Sequence, residues 1–200
     1  MSSKKQWTLV GAAVIGAIVL SGCGSTSPGA AAVVGGDRIS ERELNEKVEQ
    51  VLRAQGRPMD SASEALVVTT LDRMITTSLV EQLADQEGVE VTQGELDATL
   101  ANYAEATGGQ DAFEELLIQQ DLAPESIEDL FRVNILAQKL GMELDPMGSP
   151  EAQSSAVLVA VSQFSEEVGT SVSPRYGTWD GATLTVGAIS NDLSVPGSNS

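Results

Sequence analysis

The sequence predicts a mainly α domain: about six helices closed by a small β-sheet formed from N- and C-terminal strands. Three observations carry that expectation. Helix starts recur along the chain as Ser or Thr followed three residues later by Glu, the capping-box spacing. Between each start and the next Gly or Pro, apolar residues return every three or four positions, the period of one helix face. Only the two ends of the body, 32–39 and 170–187, break that rhythm with β-branched residues set among Gly and Pro.

The stretch "AAVVGGDRIS" (31–40) reads as a short strand, a tight turn over Gly35-Gly36-Asp37 and a return through Arg38 and Ile39. Ser40 and Glu43 then form a capping box, with Ile39 and Leu44 placed as a hydrophobic staple. The first helix carries the stripe Leu44, Val48, Val51 and Leu52 and ends near Gly56 and Pro58. A second box, Ser61 to Glu64, is expected to open a helix running to about Glu87. Its broad face holds Val67, Leu71, Met74, Ser78, Val80 and Leu83, and Gly88 stops it. Thr92 and Glu95, flanked by Val91 and Leu96, repeat the first solution and open a third helix that ends at Gly108-Gly109.

Asp111 is expected to cap a short fourth helix over about 112–120, and Pro124 to occupy the first position of a fifth. The fifth helix carries Ile127, Phe131, Ile135 and Leu140, flanked by Leu130 and Leu136, and is expected to stop at Gly141. Ser149-Pro150 opens a sixth with Val157, Val161, Phe164 and Val168 on one face, ended by Gly169. None of these helices buries its stripe alone, so they pack on one another. The segment 170–187 reads as extended chain that pairs with the 32–39 strand and closes the body.

Composition bounds the chemistry. Apolar residues make up 42% of the 200-residue chain, enough for a core, and with only 3 Phe, 2 Trp and 2 Tyr that core is aliphatic. There is no histidine, which removes the commonest general base, metal ligand and pH switch together. With 11 Lys and Arg against 29 Asp and Glu, the net charge is −18. Such a chain is repelled by nucleic acid and by anionic lipid head groups, so no nucleic-acid partner is expected. The acidity itself reads as a solubility device.

Lys4 and Lys5 precede a run without charges over 7–20, and small residues lead to the single cysteine, Cys23. That is the layout of a secretory signal, too short to span a bilayer comfortably. "LSGC" (20–23) resembles the lipobox of bacterial lipoproteins. The resemblance implies that Cys23 receives diacylglycerol through its sulfur and becomes the first residue after cleavage. A buried free thiol or an uncleaved anchor fits less well, because a lone thiol outside the cytoplasm lacks a disulfide partner and is open to oxidation. Two acyl chains give the stable anchoring that one does not. Cleavage removes Lys4 and Lys5 and no acid, leaving 9 basic and 29 acidic side chains, a net of −20. The expected organisation is therefore a signal peptide at 1–22, the lipidated Cys23 with a flexible tether at 23–31, the helical body at 32–186 and a disordered tail at 187–200. The expected location is the extracytoplasmic face of the cell membrane.

The residues "AVVGGDRISERELNEKVEQ" (32–50) resemble the opening of the SurA-like N-terminal chaperone domain of extracytoplasmic peptidyl-prolyl isomerases. The likeness continues through "VTQGELDATL" (91–100), "IEDLFRVNILAQKL" (127–140) and "SPRYGTWD" (173–180), and spans about 31–186. It departs at the turn, where Gly35 stands in the usual Asn position. The resemblance implies a chaperone-like domain that binds unfolded or secreted polypeptides. Family members often carry a histidine-dependent parvulin isomerase module between the helical segments. Here the interval between Leu140 and Ser149 is too short for one and histidine is absent, so isomerase activity is not carried over.

Other chemistry is poorly supported. No G-x-S-x-G elbow or phosphate-binding loop occurs; Gly35-Gly36 and Gly108-Gly109 lack the following Lys. Glu114-Glu115 and Glu166-Glu167 are adjacent on helices and so point apart, as solvated faces do. No loop has EF-hand ligand spacing, and no catalytic residue, cofactor or metal is expected. Arg175, Tyr176 and Trp179 form the densest aromatic and cationic cluster; packing of Trp179 over a helix end with Arg175 paired to an acid is favoured over a binding patch. Met74 is expected in the core, while Met142 and Met147 are left open between core and client groove. Two functions stand at this point: a lipid-anchored holdase for many clients, or a tethered adaptor for one envelope protein. Client-binding residues and oligomeric state are unassigned.

Overall fold

An N-terminal hairpin opens the body. In the computed structural model, which describes residues 28–188, β1 (Ala30–Val34) turns through Gly35-Gly36 into antiparallel β2 (Asp37–Ser40). The turn requires its first glycine. Gly35 has φ +59°, and a Cβ there would stand 3.0 Å from Gln82 Oε1 and 3.2 Å from Val168 Cβ. The strand begins earlier than the sequence suggests. Ala30 and Ala31 are buried in β1, so the last two residues expected in the tether belong to the sheet.

Ser40 caps α1 (Glu41–Ala54) with both halves of its box formed: Glu43 N–H donates to Ser40 Oγ, and Ser40 N–H donates to Glu43. Its buried face is the expected stripe, Leu44, Val48, Val51 and Leu52. The next start differs from expectation. Ser61 is used up in a 3₁₀ turn (Met59–Ser61), its hydroxyl donating to Pro58 O at 2.6 Å. The cap of α2 (Glu64–Glu87) is therefore Ser63, which accepts from Leu66 N–H.

α2 is the central helix, touching α1, β1 and the two elements α5 (Ile127–Leu144) and α6 (Pro150–Val168). It buries Leu66, Leu71, Ile75, Leu79, Val80 and Leu83 among others. Thr92 and Glu95 form the expected box at the start of α3 (Gln93–Thr107), which ends at left-handed Gly108. The short α4 (Gln110–Gln119) starts at Gly109 without a side-chain cap, so Asp111 lies in its first turn and does not cap it. Leu96, Phe113, Leu117, Phe131 and Ile135 make a satellite core that fixes α3 and α4 to α5. Phe113 and Phe131 meet edge to face at 5.6 Å, and Tyr103 meets Phe131 edge to face at 4.9 Å.

Pro124 begins a 3₁₀ turn (Pro124–Ser126) that leads into α5. That helix runs past the expected stop. Gly141 is buried within it, and a Cβ there would lie 3.1 Å from Gln153 Cβ and 3.2 Å from Gln153 O on α6. It is the contact at which two helices approach closely, not a terminus. α6 is capped by Ser149 with Pro150 in its first turn, buries Val157, Val161 and Phe164, and ends at left-handed Gly169.

β3 (Ser171–Val172) then pairs antiparallel with β1, giving a three-stranded sheet in the order β2-β1-β3. The sheet thus joins the two ends of the body. The rest of 170–187 does not extend it: β4 (Thr178–Asp180) and β5 (Thr185–Gly187) form a separate hairpin. This hairpin is pinned by Trp179 Nε1–H donating to Ser165 Oγ at 2.8 Å and Val186 N–H donating to Asp72 at 2.6 Å. Among the described residues no helix is long and apolar enough to cross a membrane.

Candidate functional site

α5 packs one face inward and leaves another uncovered. Leu130, Asn134, Gln138 and Met142 recur at i, i+4, i+8 and i+12, so they share one stripe; the last three are exposed. Three hollows flank that stripe and share its residues. The first, about 220 Å³, lies between α1, α2 and α5 and is floored by Val51, Thr70, Met74 and Leu130. The second, about 240 Å³, lies between α3, α4 and α5, shares Leu122 and Leu130 with the first, and includes Tyr103 and Leu116. The third, about 670 Å³, lies between α5 and α6, shares Asn134 and Gln138 with the second, and reaches Met142 and Leu158.

The first two are smaller than the roughly 300–1,000 Å³ of small-molecule sites and suit single side chains. Asn134 and Gln138, between the hollows, offer amide donors and acceptors of the kind a peptide backbone uses. From Leu130 to Met142 the stripe is about 18 Å long at 1.5 Å per residue. An extended segment of roughly five residues covers that length.

The electrostatics differ along the stripe. At the first hollow, Lys47 donates to Asp129 at 3.5 Å and to Ser126 Oγ at 3.3 Å. Arg73 donates to Asp121 O at 3.3 Å, and burial lowers its pKa while the Asp121 charge opposes that. The Glu81 carboxyl at the cavity mouth is held above the ordinary value, first by desolvation and then by Asp129, although the residue as a whole is exposed. Below the second hollow, Lys139 donates to Glu95 Oε1 at 2.7 Å and to Glu90 O at 2.6 Å, fixing the start of α3 to α5. The ten residues that line the third hollow are uncharged.

The chain matches the family described as SurA-like N-terminal domain over residues 1–141. That is well over half its length. The chain belongs to the SurA-like N-terminal domain family. The family is of chaperone type and points to polypeptide clients in general. The curated proteins and the solved structures gave no match. The match ends at Gly141, so the SurA-like region takes in α1 through nearly all of α5, including the exposed stripe up to Gln138.

Within this SurA-like body the sequence-derived candidates separate. Cys23, the expected signal peptide at 1–22, residues 24–27 of the expected tether and residues 189–200 of the expected tail lie outside the described residues, while Gly187, expected in the tail, is the last residue of β5 and pairs with Thr178. Met74, expected in the core, is half-buried, packs on the core and also lines the first hollow. Met142 and Met147 are exposed, at 52% and 95%, and so belong to the surface. Trp179 and Arg175 are structural as expected: the indole bonds Ser165, and Arg175 pairs with Glu41 at 2.8 Å and stands over the Tyr176 ring. Among the described residues no three Cys, His, Asp or Glu side chains converge as a metal site would require. Sequence reasoning missed Asn134 and Gln138. Their signal was the polar half of the fifth helix's 3.6-residue period, where two amides fall among charged residues.

Proposed function

We propose that this protein is a lipid-anchored, extracytoplasmic holdase that captures unfolded or newly secreted polypeptides and carries out no prolyl isomerisation. The uncovered α5 face carries the reading: two side-chain-sized hollows and a larger groove adjoin exposed amides over the length of a short extended segment. Apolar hollows hold alternate side chains, and Asn134 and Gln138 pair with backbone groups that every client shares, so capture does not depend on one sequence. Membership of a chaperone-type family supports the same reading. The lipobox-like "LSGC" and the charge-free run before it support anchoring through Cys23. An acidic body on such a tether stands off an anionic membrane and keeps captured chains soluble.

The test is suppression of aggregation of several unrelated unfolded proteins. Activity on many of them supports a holdase. Activity on none, with one envelope protein recovered from crosslinked cells, makes the protein a dedicated adaptor instead. Labelled fatty acid should attach to the wild-type chain and not to Cys23→Ser; equal labelling of both removes the anchor.

A further inference from the structure

Between α2 and α5 lies a further groove, of about 370 Å³, with Asp72, Arg73 and Thr77 on one wall and Leu130, Val133 and Asn134 on the other. It shares Arg73, Thr77 and Leu130 with the first hollow and Asn134 with the second, so it opens onto the exposed face of α5. The last strand is fixed at its edge. Val186 N–H donates to Asp72 at 2.6 Å, and Ala188, two residues on, is the last described residue. Residues 189–200 therefore leave the body beside this groove.

The composition of that segment complements the groove. Arg73, bonded to the Asp121 carbonyl at 3.3 Å, forms no ion pair among the described residues. Asp192 is the only charged side chain after Asp180, and the four residues from Ala188 to it span about 13 Å when extended. Ile189, Leu193 and Val195 supply apolar side chains for the half-buried Leu130 and Val133. A segment tethered this close acts at an effective concentration on the order of millimolar. A second copy reaches that only in concentrated solution, and copies carrying −18 each repel.

We propose that residues 189–195 dock in the α2–α5 groove, with Asp192 towards Arg73, and compete with clients for the exposed face of α5. The contact is autoinhibitory: a client lying over Leu130 and Asn134 must displace the segment. The competition rests on the holdase reading, whereas the docking stands without it.

The test uses the full chain in non-ionic detergent. Leu193→benzoylphenylalanine should crosslink on illumination to residues 69–77 or 130–134 of the same chain, mapped by mass spectrometry. Crosslinks between copies at high dilution overturn the docking in favour of a second copy, and crosslinks elsewhere or none overturn it outright. A fluorescent, uncharged peptide with alternating apolar side chains reports the competition. The triple variant Ile189→Ser, Leu193→Ser, Val195→Ser should bind it roughly tenfold more tightly than wild type, as release of a segment docked about nine-tenths of the time requires. Asp192→Asn should gain roughly twofold, the reach of one exposed ion pair, and that gain should vanish near about 1 M salt. A synthetic peptide of residues 189–200 should displace the fluorescent one from the triple variant. Equal affinity of wild type and triple variant, with aggregation still suppressed, overturns the autoinhibition and leaves the holdase reading standing. No binding of the fluorescent peptide by either chain, together with no suppression of aggregation, overturns the holdase reading, and the crosslink then decides the docking by itself.

Discussion

Glu95 serves two partners from one exposed position. Its carboxylate accepts from Lys139 and from the Thr92 N–H and hydroxyl, and these bonds, Lys139 first, hold its pKa down to about 2. A carboxyl depressed in the folded state contributes stability that is complete above its ordinary value of 4.5 and is lost as pH falls through about 2. Glu95→Gln should therefore melt below wild type at neutral pH, with the gap closing across that acid window; a gap independent of pH assigns the effect to shape instead of charge. Ser165 is the second residue of this kind, buried and bonded to both Trp179 and Thr170. Ser165→Ala leaves the indole N–H without its acceptor and should cost about 1–3 kcal/mol in denaturant unfolding. The two residues differ in legibility. Thr92 and Glu95 are three apart, so their pairing could be read from the chain, whereas the Ser165–Trp179 bond joins two elements and has no local signature.

The helices show where periodicity is sufficient and where it is not. The stripe of α1 was legible in full, and that of α6 in Val157, Val161 and Phe164, because the residues at 3.6 spacing are the ones buried; Val168, expected on the same face, is only half-buried and Ser165 is buried in its place. α2 is enclosed from several sides, so its buried set spreads around the helix; Met74 and Ser78, expected on its inner face, border a hollow. Gly141 exposes a different limit, since a glycine that ends a helix and one that admits a neighbour are identical in sequence. α5 stops instead at Asp145, before Pro146, where a preceding residue is driven from helical backbone. Gly141→Leu should push α6 away from α5, cost about 1–3 kcal/mol as overpacking does, and weaken peptide capture at the groove between them. Unfolding by denaturant alongside peptide anisotropy separates the two effects. The exposed stripe of α5 was not legible as a site, because exposed polar residues at helical spacing look the same on a bare surface and on a groove floor.

At the scale of the whole molecule, charge and closure set the behaviour. Besides the acid-side loss tied to Glu95, an opposing change comes from Asp72, whose carboxyl is raised by burial despite the bond from Val186 N–H. A raised carboxyl favours the folded state in its protonated form, so stability falls as pH rises from the ordinary 3.8 through the raised value. The net charge of −18 acts in the same direction through self-repulsion. The melting temperature should therefore peak at mildly acid pH. Asp72→Asn keeps an acceptor for Val186 without the buried charge, and should melt above wild type at neutral pH with the difference shrinking towards pH 3.8. The overall order of strands and helices was legible because each end of the body lacks helical rhythm; the separate β4–β5 hairpin was not, since partner choice among short strands is decided in three dimensions. That β1 lies between β2 and β3 has a consequence for biogenesis. Its outer edge is filled by residues that follow all six helices in the chain, so until they have been made the strand presents unpaired amides and carbonyls to whatever lies nearby. A chain cut before Ser171 should keep its helices yet associate edge to edge, and a ribosome stalled there should hold a nascent domain that is helical, unsealed and sticky.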